Sequence, residues 1–156
     1  MTILSGSPEQ TEHLGELLGG LLVPGDVICL SGPLGAGKTS MVRGLVRGWG
    51  APERATSPTF ALINVYRHPS RAETFYHVDC YRMSGPADAR TAGLEDILDG
   101  EDIVVIEWPE RIGSLLPDDV LWVALSDQGG DRRAITFSAR GERSAALVQG
   151  FEAALP

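Results

Sequence analysis

A chain of 156 residues with 43% apolar and 22% charged side chains has a globular composition, and its length suits one core of roughly 100–150 residues rather than two. The net charge of −8, from 13 basic and 21 acidic residues, has the wrong sign for a protein that grips a nucleic-acid backbone unaided. No apolar run reaches the roughly 18–20 residues that cross a bilayer, and the opening residues lack a charged stretch followed by an apolar run, so a cytoplasmic, single-domain protein spanning 1–156, with no membrane contact, is expected.

Leu14, Leu17, Leu18, Leu21 and Leu22 recur at helical spacing, which predicts an amphipathic helix over 7–22 with Ser7 as cap, Pro8 in the first turn and Gln10 placed as in a capping box. Pro24-Gly25 breaks the chain before the apolar run Val27 to Leu30, a strand covered on both faces. A glycine-rich turn, Gly32 to Gly37, separates it from a second helix that buries Met41, Val42, Leu45, Val46 and Trp49 and stops at Gly50 and Pro52. Segments 60–66 and 74–82 read as paired strands, 93–99 as a short helix, and Ile103-Val104-Val105-Ile106 as another buried strand. Strands over 119–125 and 133–138 flank a turn at Gln128 to Asp131, and a helix from Glu142 to Ala154 follows. Cys29 and Cys80 each sit in an apolar segment without a neighbouring ligand pair, as reduced buried thiols do.

The glycine turn carries the chemistry. Gly32-Pro33-Leu34-Gly35-Ala36-Gly37-Lys38-Thr39 fits the phosphate-binding pattern G-x-x-x-x-G-K-[ST] and lies between strand and helix, as that pattern requires. Glycines let backbone N–H groups wrap phosphate oxygens where a Cβ would intrude, and the helix start adds partial positive charge. Lys38 is the only lysine, every other basic residue being arginine, and it stands where a compact ammonium suits phosphate better than a planar fork. Lys38 is therefore expected at the β- and γ-phosphates of a nucleoside triphosphate and the Thr39 hydroxyl on Mg²⁺, with Gly32, Gly35, Ala36, Gly37 and Ser40 completing the phosphate cradle.

Glu107 ends a buried apolar strand, where a metal-holding carboxylate is expected, though a surface glutamate at a strand end gives the same pattern. Alternation places His77, Asp79 and Tyr81 on one strand face, where Asp79 could direct water; pattern alone fits a half-solvated strand equally well. Thr59, in Ser57-Pro58-Thr59-Phe60, occupies the place of a γ-phosphate-sensing switch, though Ser-Pro-Thr is also ordinary turn chemistry. His13, His68 and His77 show no metal-ligand spacing and read as structural or solvated.

In order, Ser31 to Thr39, Ser57-Pro58-Thr59-Phe60, His77-Val78-Asp79-Cys80-Tyr81-Arg82, Gly93-Leu94-Glu95-Asp96 and Val105 to Arg111 resemble the bacterial TsaE (YjeE) family over about residues 5 to 140. The resemblance implies an ATP hydrolase, weak alone and stimulated by a TsaB–TsaD pair that makes threonylcarbamoyladenosine in tRNA, with tRNA reached through those partners. It further implies that Thr39 and Glu107 hold Mg²⁺, that Asp79 and Thr59 serve the γ-phosphate side with Lys38, and that Thr11 and Arg132 lie near adenine.

A small P-loop kinase is the main alternative, but Arg67 and Arg71 form the only close arginine pair between the second and third motifs, short of an arginine-rich lid. A guanine-nucleotide switch would need an Asn-Lys-x-Asp motif, which is absent, and a nucleotide-sensing adaptor would bind without turnover. The fold expected is a three-layer α/β P-loop NTPase with a mostly parallel central sheet and antiparallel strands near the C-terminus.

Overall fold

Alternation between runs buried on both faces and glycine-ended amphipathic helices builds a seven-stranded sheet between two helical layers. The computed structural model describes residues 1–52 and 62–156. The strands are β1 (Thr2–Ser5), β2 (Val27–Ser31), β3 (Ile63–Arg67), β4 (Thr74–Asp79), β5 (Ile103–Glu107), β6 (Leu121–Asp127) and β7 (Arg133–Ala139), in the order β1-β7-β6-β2-β5-β4-β3. The four central strands, β6, β2, β5 and β4, run parallel, β3 on one side and β7 on the other run against them, and β1 pairs antiparallel with β7.

The helices are α1 (Pro8–Gly19), α2 (Lys38–Trp49), α3 (Pro86–Thr91), α4 (Leu94–Asp99) and α5 (Glu142–Ala154). One face of the sheet carries α1, α2 and α5 over Ile28, Leu30, Phe75, Val105 and Phe137. The other carries α3, α4 and a 3₁₀ stretch, Pro109–Leu115, over Cys29, Val78, Val104 and Ile106. Cys29 and Cys80 are free and buried, and burial pushes both thiols up to about 12, so neither is a nucleophile at neutral pH.

Four elements depart from the pattern read in the sequence. The first helix stops at Gly19, because Gly19-Gly20 weakens it, and Leu21 and Leu22 continue in i→i+3 turns. β1 has only four residues without clean alternation, yet pairs with β7. α3 and the 3₁₀ stretch each begin at a proline that carries little periodic signal.

What sets α1 against α2 is glycine on both helices. A Cβ at Gly15 would stand 2.5 Å from the Met41 carbonyl oxygen, and one at Gly44 would overlap the Glu12 carbonyl and lie 2.8 Å from the Glu16 nitrogen. Arg47 closes the crossing with ion pairs to Glu12 at 2.6 Å and Glu16 at 2.9 Å. Because backbone meets backbone, Gly44→Ala should reverse the usual helix gain. The expected loss is about 1–3 kcal/mol from overpacking, read as a Tm lowered by about 2–10 °C; an unchanged or raised Tm in a thermal melt contradicts this account.

Candidate functional site

Parallel register brings the chemistry to one edge. Asp79 stands opposite Glu107 on β4 and β5, Leu30 of β2 stands opposite Glu107 on the other side, and the glycine turn leaves β2 just beyond. This is the carboxyl end of the parallel strands, where ligands of open α/β sheets gather. A cavity of about 420 Å³, within the range of small-ligand sites, is lined there by the turn and first helical residues Gly35 to Ser40, by Asp79 and Glu107, and by Thr11 and Arg133.

The turn has the conformation its glycines permit. Gly32, Gly35 and Gly37 have φ of +146°, +78° and +101°, and a Cβ at Gly32 would lie 2.5 Å from the Leu125 carbonyl oxygen. Gly37 caps α2 without a side chain, so the first amides of that helix have no intrahelical acceptor and face the turn. Lys38 is 6% exposed. Its Nζ donates to the Gly32 carbonyl at 2.5 Å and the Pro33 carbonyl at 2.9 Å, and lies 4.5 Å from the centre of the Trp108 ring. Burial pulls the ammonium below its ordinary range, opposed by Glu107, Asp79 and Glu110.

Trp108 is the only non-glycine residue with positive φ among the described residues, at +57°. That left-handed turn, followed by Pro109, ends β5 and leaves the indole against Lys38 on one side and Tyr81, at 4.9 Å between ring centres, on the other. Burial raises the Asp79 carboxyl above its ordinary value and the Glu107 charge adds to this, while the Tyr81 amide, donating to Asp79 Oδ1 at 2.9 Å, works against it together with His77 and Lys38.

The cavity suits a magnesium–triphosphate: donors from a helix start and one ammonium face it on one side, with a hydroxyl at Thr39 and two carboxylates on the other. Among the described residues there is no cluster of three His, Cys, Asp or Glu side chains that could hold a metal by itself.

Most expected site residues converge here; the exceptions are informative. Thr59 and the rest of Ser57-Pro58-Thr59-Phe60 lie outside the described residues. Thr11 lines the cavity, but its hydroxyl is bonded to Ser5 Oγ at 2.8 Å; Ser5 donates its own proton to the Ser7 carbonyl, so Thr11 must be the donor. Arg132 is exposed, donates to the Gln128 carbonyl at 3.2 Å and does not line the cavity.

Its neighbour Arg133 does. That guanidinium donates to the turn at Ala36 O (3.2 Å) and Gly35 O (3.1 Å) and to the β6–β7 hairpin at Gly130 O and Arg132 O, both 2.8 Å, strapping the phosphate turn to the hairpin. Pulling the Ala36 carbonyl outward aims the Gly37 N–H of the same peptide unit the opposite way. Of the two readings of His77, the structural one fits and the solvated one does not, since the ring is 1% exposed with Nε2 2.7 Å from Glu107 Oε2.

A model of the family described as threonylcarbamoyl adenosine biosynthesis protein TsaE matches residues 5–135. The chain belongs to the TsaE family. TsaE proteins named for tRNA threonylcarbamoyladenosine biosynthesis are 35% identical over 143 residues in Bacillus subtilis (92% of this chain, 88% of that one) and 39% identical over 138 residues in Treponema pallidum (88% and 100%). The crystal structure of Bacillus subtilis YdiB superposes with a TM-score of 0.81 at 31% identity, covering 98% of this chain and 94% of that one. The TsaE assignment places this chain in a family of tRNA threonylcarbamoyladenosine biosynthesis and its fold among P-loop NTPases.

Proposed function

We propose that this chain is a cytoplasmic ATP hydrolase that supports a TsaB–TsaD pair in the threonylcarbamoyladenosine modification of tRNA adenosine 37, meeting tRNA through those partners. The observation that carries the reading is the meeting of the only lysine, the glycine turn and two in-register carboxylates around one cavity. The relatives' names supply the pathway. Among the described residues no helix is long and apolar enough to cross a membrane.

In this mechanism Gly32, Gly35, Ala36 and Gly37 shape a backbone cradle for the phosphates, and the first turn of α2, with Lys38, Thr39 and Ser40, presents donors to them. Lys38 exchanges its two carbonyl partners for phosphate oxygens, which hold an ammonium more strongly. Thr39 and Glu107 would hold Mg²⁺, which when bound neutralises developing phosphate charge. Asp79, with Thr59 of the second motif, orients water toward the γ-phosphate, and its raised affinity for protons suits a base. Thr11, on the α1 side, and Arg133 of the hairpin flank the end of the cavity proposed for the base, whereas Arg132 does not line it and takes no part.

Phosphate release from Mg·ATP by the purified chain, alone and with TsaB and TsaD added, tests this. Slow hydrolysis that the pair stimulates is expected. Transfer of the γ-phosphoryl group to a small acceptor would instead establish a kinase, and binding without turnover an adaptor.

A further inference from the structure

His77 lies on β4, two residues before Asp79 and on the same strand face, with its backbone paired to Val105. From there the ring reaches diagonally to Glu107 Oε2 at 2.7 Å, and both side chains are at least nine-tenths buried. A carboxylate only accepts, so Nε2 carries the proton and donates it. The other ring nitrogen, Nδ1, is buried and has no hydrogen-bond partner among the described residues. Burying a polar ring costs free energy that a phenyl ring would not, and Phe75, two residues earlier on this face, shows that an aromatic hydrocarbon fits the layer. Among the described residues, the bond to Glu107 is the one thing the imidazole does here that an apolar ring cannot.

We infer that His77 is a positioning residue that clamps one oxygen of Glu107, so that the carboxylate meets a divalent cation through the other oxygen in a single fixed orientation. The inference rests on the reading of this cavity as a magnesium–nucleotide site. A free carboxylate on a two-carbon stem samples several rotamers, and freezing the one that ligates before the metal arrives removes that entropic cost from binding. The effect belongs to the metal-dependent part of nucleotide binding and leaves the phosphate cradle untouched.

The test compares three variants whose side chains place donors differently. The amide nitrogen of Gln reaches the position of Nε2, that of Asn reaches the position of Nδ1, and Phe offers neither. ATP affinity is measured by calorimetry for the wild type, His77→Gln, His77→Asn and His77→Phe, each with Mg²⁺ and with chelator, alongside a thermal melt. Magnesium should strengthen binding in the wild type and in His77→Gln. In His77→Asn and His77→Phe that gain should shrink by about 10–100-fold, the usual effect of losing a residue that orients a metal ligand, with metal-free affinity unchanged.

Equal magnesium gains in the Gln and Asn variants, whether both kept or both lost, overturn the inference, and this comparison holds even if the Phe variant fails to fold. A wild-type chain that binds no nucleotide under either condition would instead remove the reading of the cavity.

Discussion

Replacing Lys38 with alanine should weaken ATP binding by about 2–5 kcal/mol, the range for deleting one partner of a buried charge pair, or roughly 30-fold to several thousand-fold in Kd. Two features make this the largest effect on affinity in the molecule. Every other basic residue is an arginine, and Arg133, which also lines the cavity, is already bonded to four backbone carbonyls. No other side-chain ammonium exists to take over.

The fold should survive Lys38→Ala, because burial already disfavours the ammonium and its partners in the chain are two turn carbonyls and an indole face. Calorimetry with a parallel thermal melt separates the outcomes. A folded variant that binds ATP like the wild type contradicts the phosphate role, whereas an unfolded one would show that the ammonium holds the turn together. Lys38→Arg should not rescue binding, since a planar fork cannot replace a compact point charge in a cradle this close to Gly32 and Pro33.

The phosphate turn was legible in the sequence because its demands are local. Glycine is required where φ is positive and where a Cβ would strike Leu125, and these needs print a fixed spacing on the chain. The central strands were legible because burial on both faces leaves unbroken apolar runs such as Val27 to Leu30 and Ile103 to Ile106.

What escaped depends on partners distant in the chain. Gly15 and Gly44 look like weak points of their helices until the two are laid together, when each becomes the reason the other can approach. Alternation put His77 on the face of Asp79, but its partner lies 30 residues on, and only the β4–β5 register brings them within a hydrogen bond. Arg132 and Arg133 are adjacent on a hairpin, so a shift of one residue decides which reaches the cavity, and turn residues alone do not fix that register.

Asp79→Asn should separate stability from turnover. The amide keeps an oxygen to accept from the Tyr81 N–H, so the turn after β4 is retained, but it can neither orient water as a charged group nor take its proton. Hydrolysis should fall by about 10²-fold or more, the usual contribution of a positioned acid–base group, with ATP affinity kept or improved because a negative charge leaves the phosphate site. The melt should move the other way. The folded carboxyl is held above its ordinary value, first by burial and then by Glu107, so the folded state binds the proton more readily than the unfolded chain does.

Stability therefore falls as pH rises from the ordinary carboxyl range through the raised folded value, and at neutral pH the full penalty is present. Asn removes it. The Tm of Asp79→Asn should exceed that of the wild type at neutral pH, and the difference should close as pH drops below the ordinary carboxyl range, where Asp79 is protonated in both states. A variant that hydrolyses ATP at the wild-type rate removes Asp79 from the reaction. A Tm difference that persists in acid would trace the gain to packing rather than charge. Both results together, activity lost and neutral-pH stability gained, would mean that the carboxylate is kept at this buried edge for its chemistry against the interest of the fold.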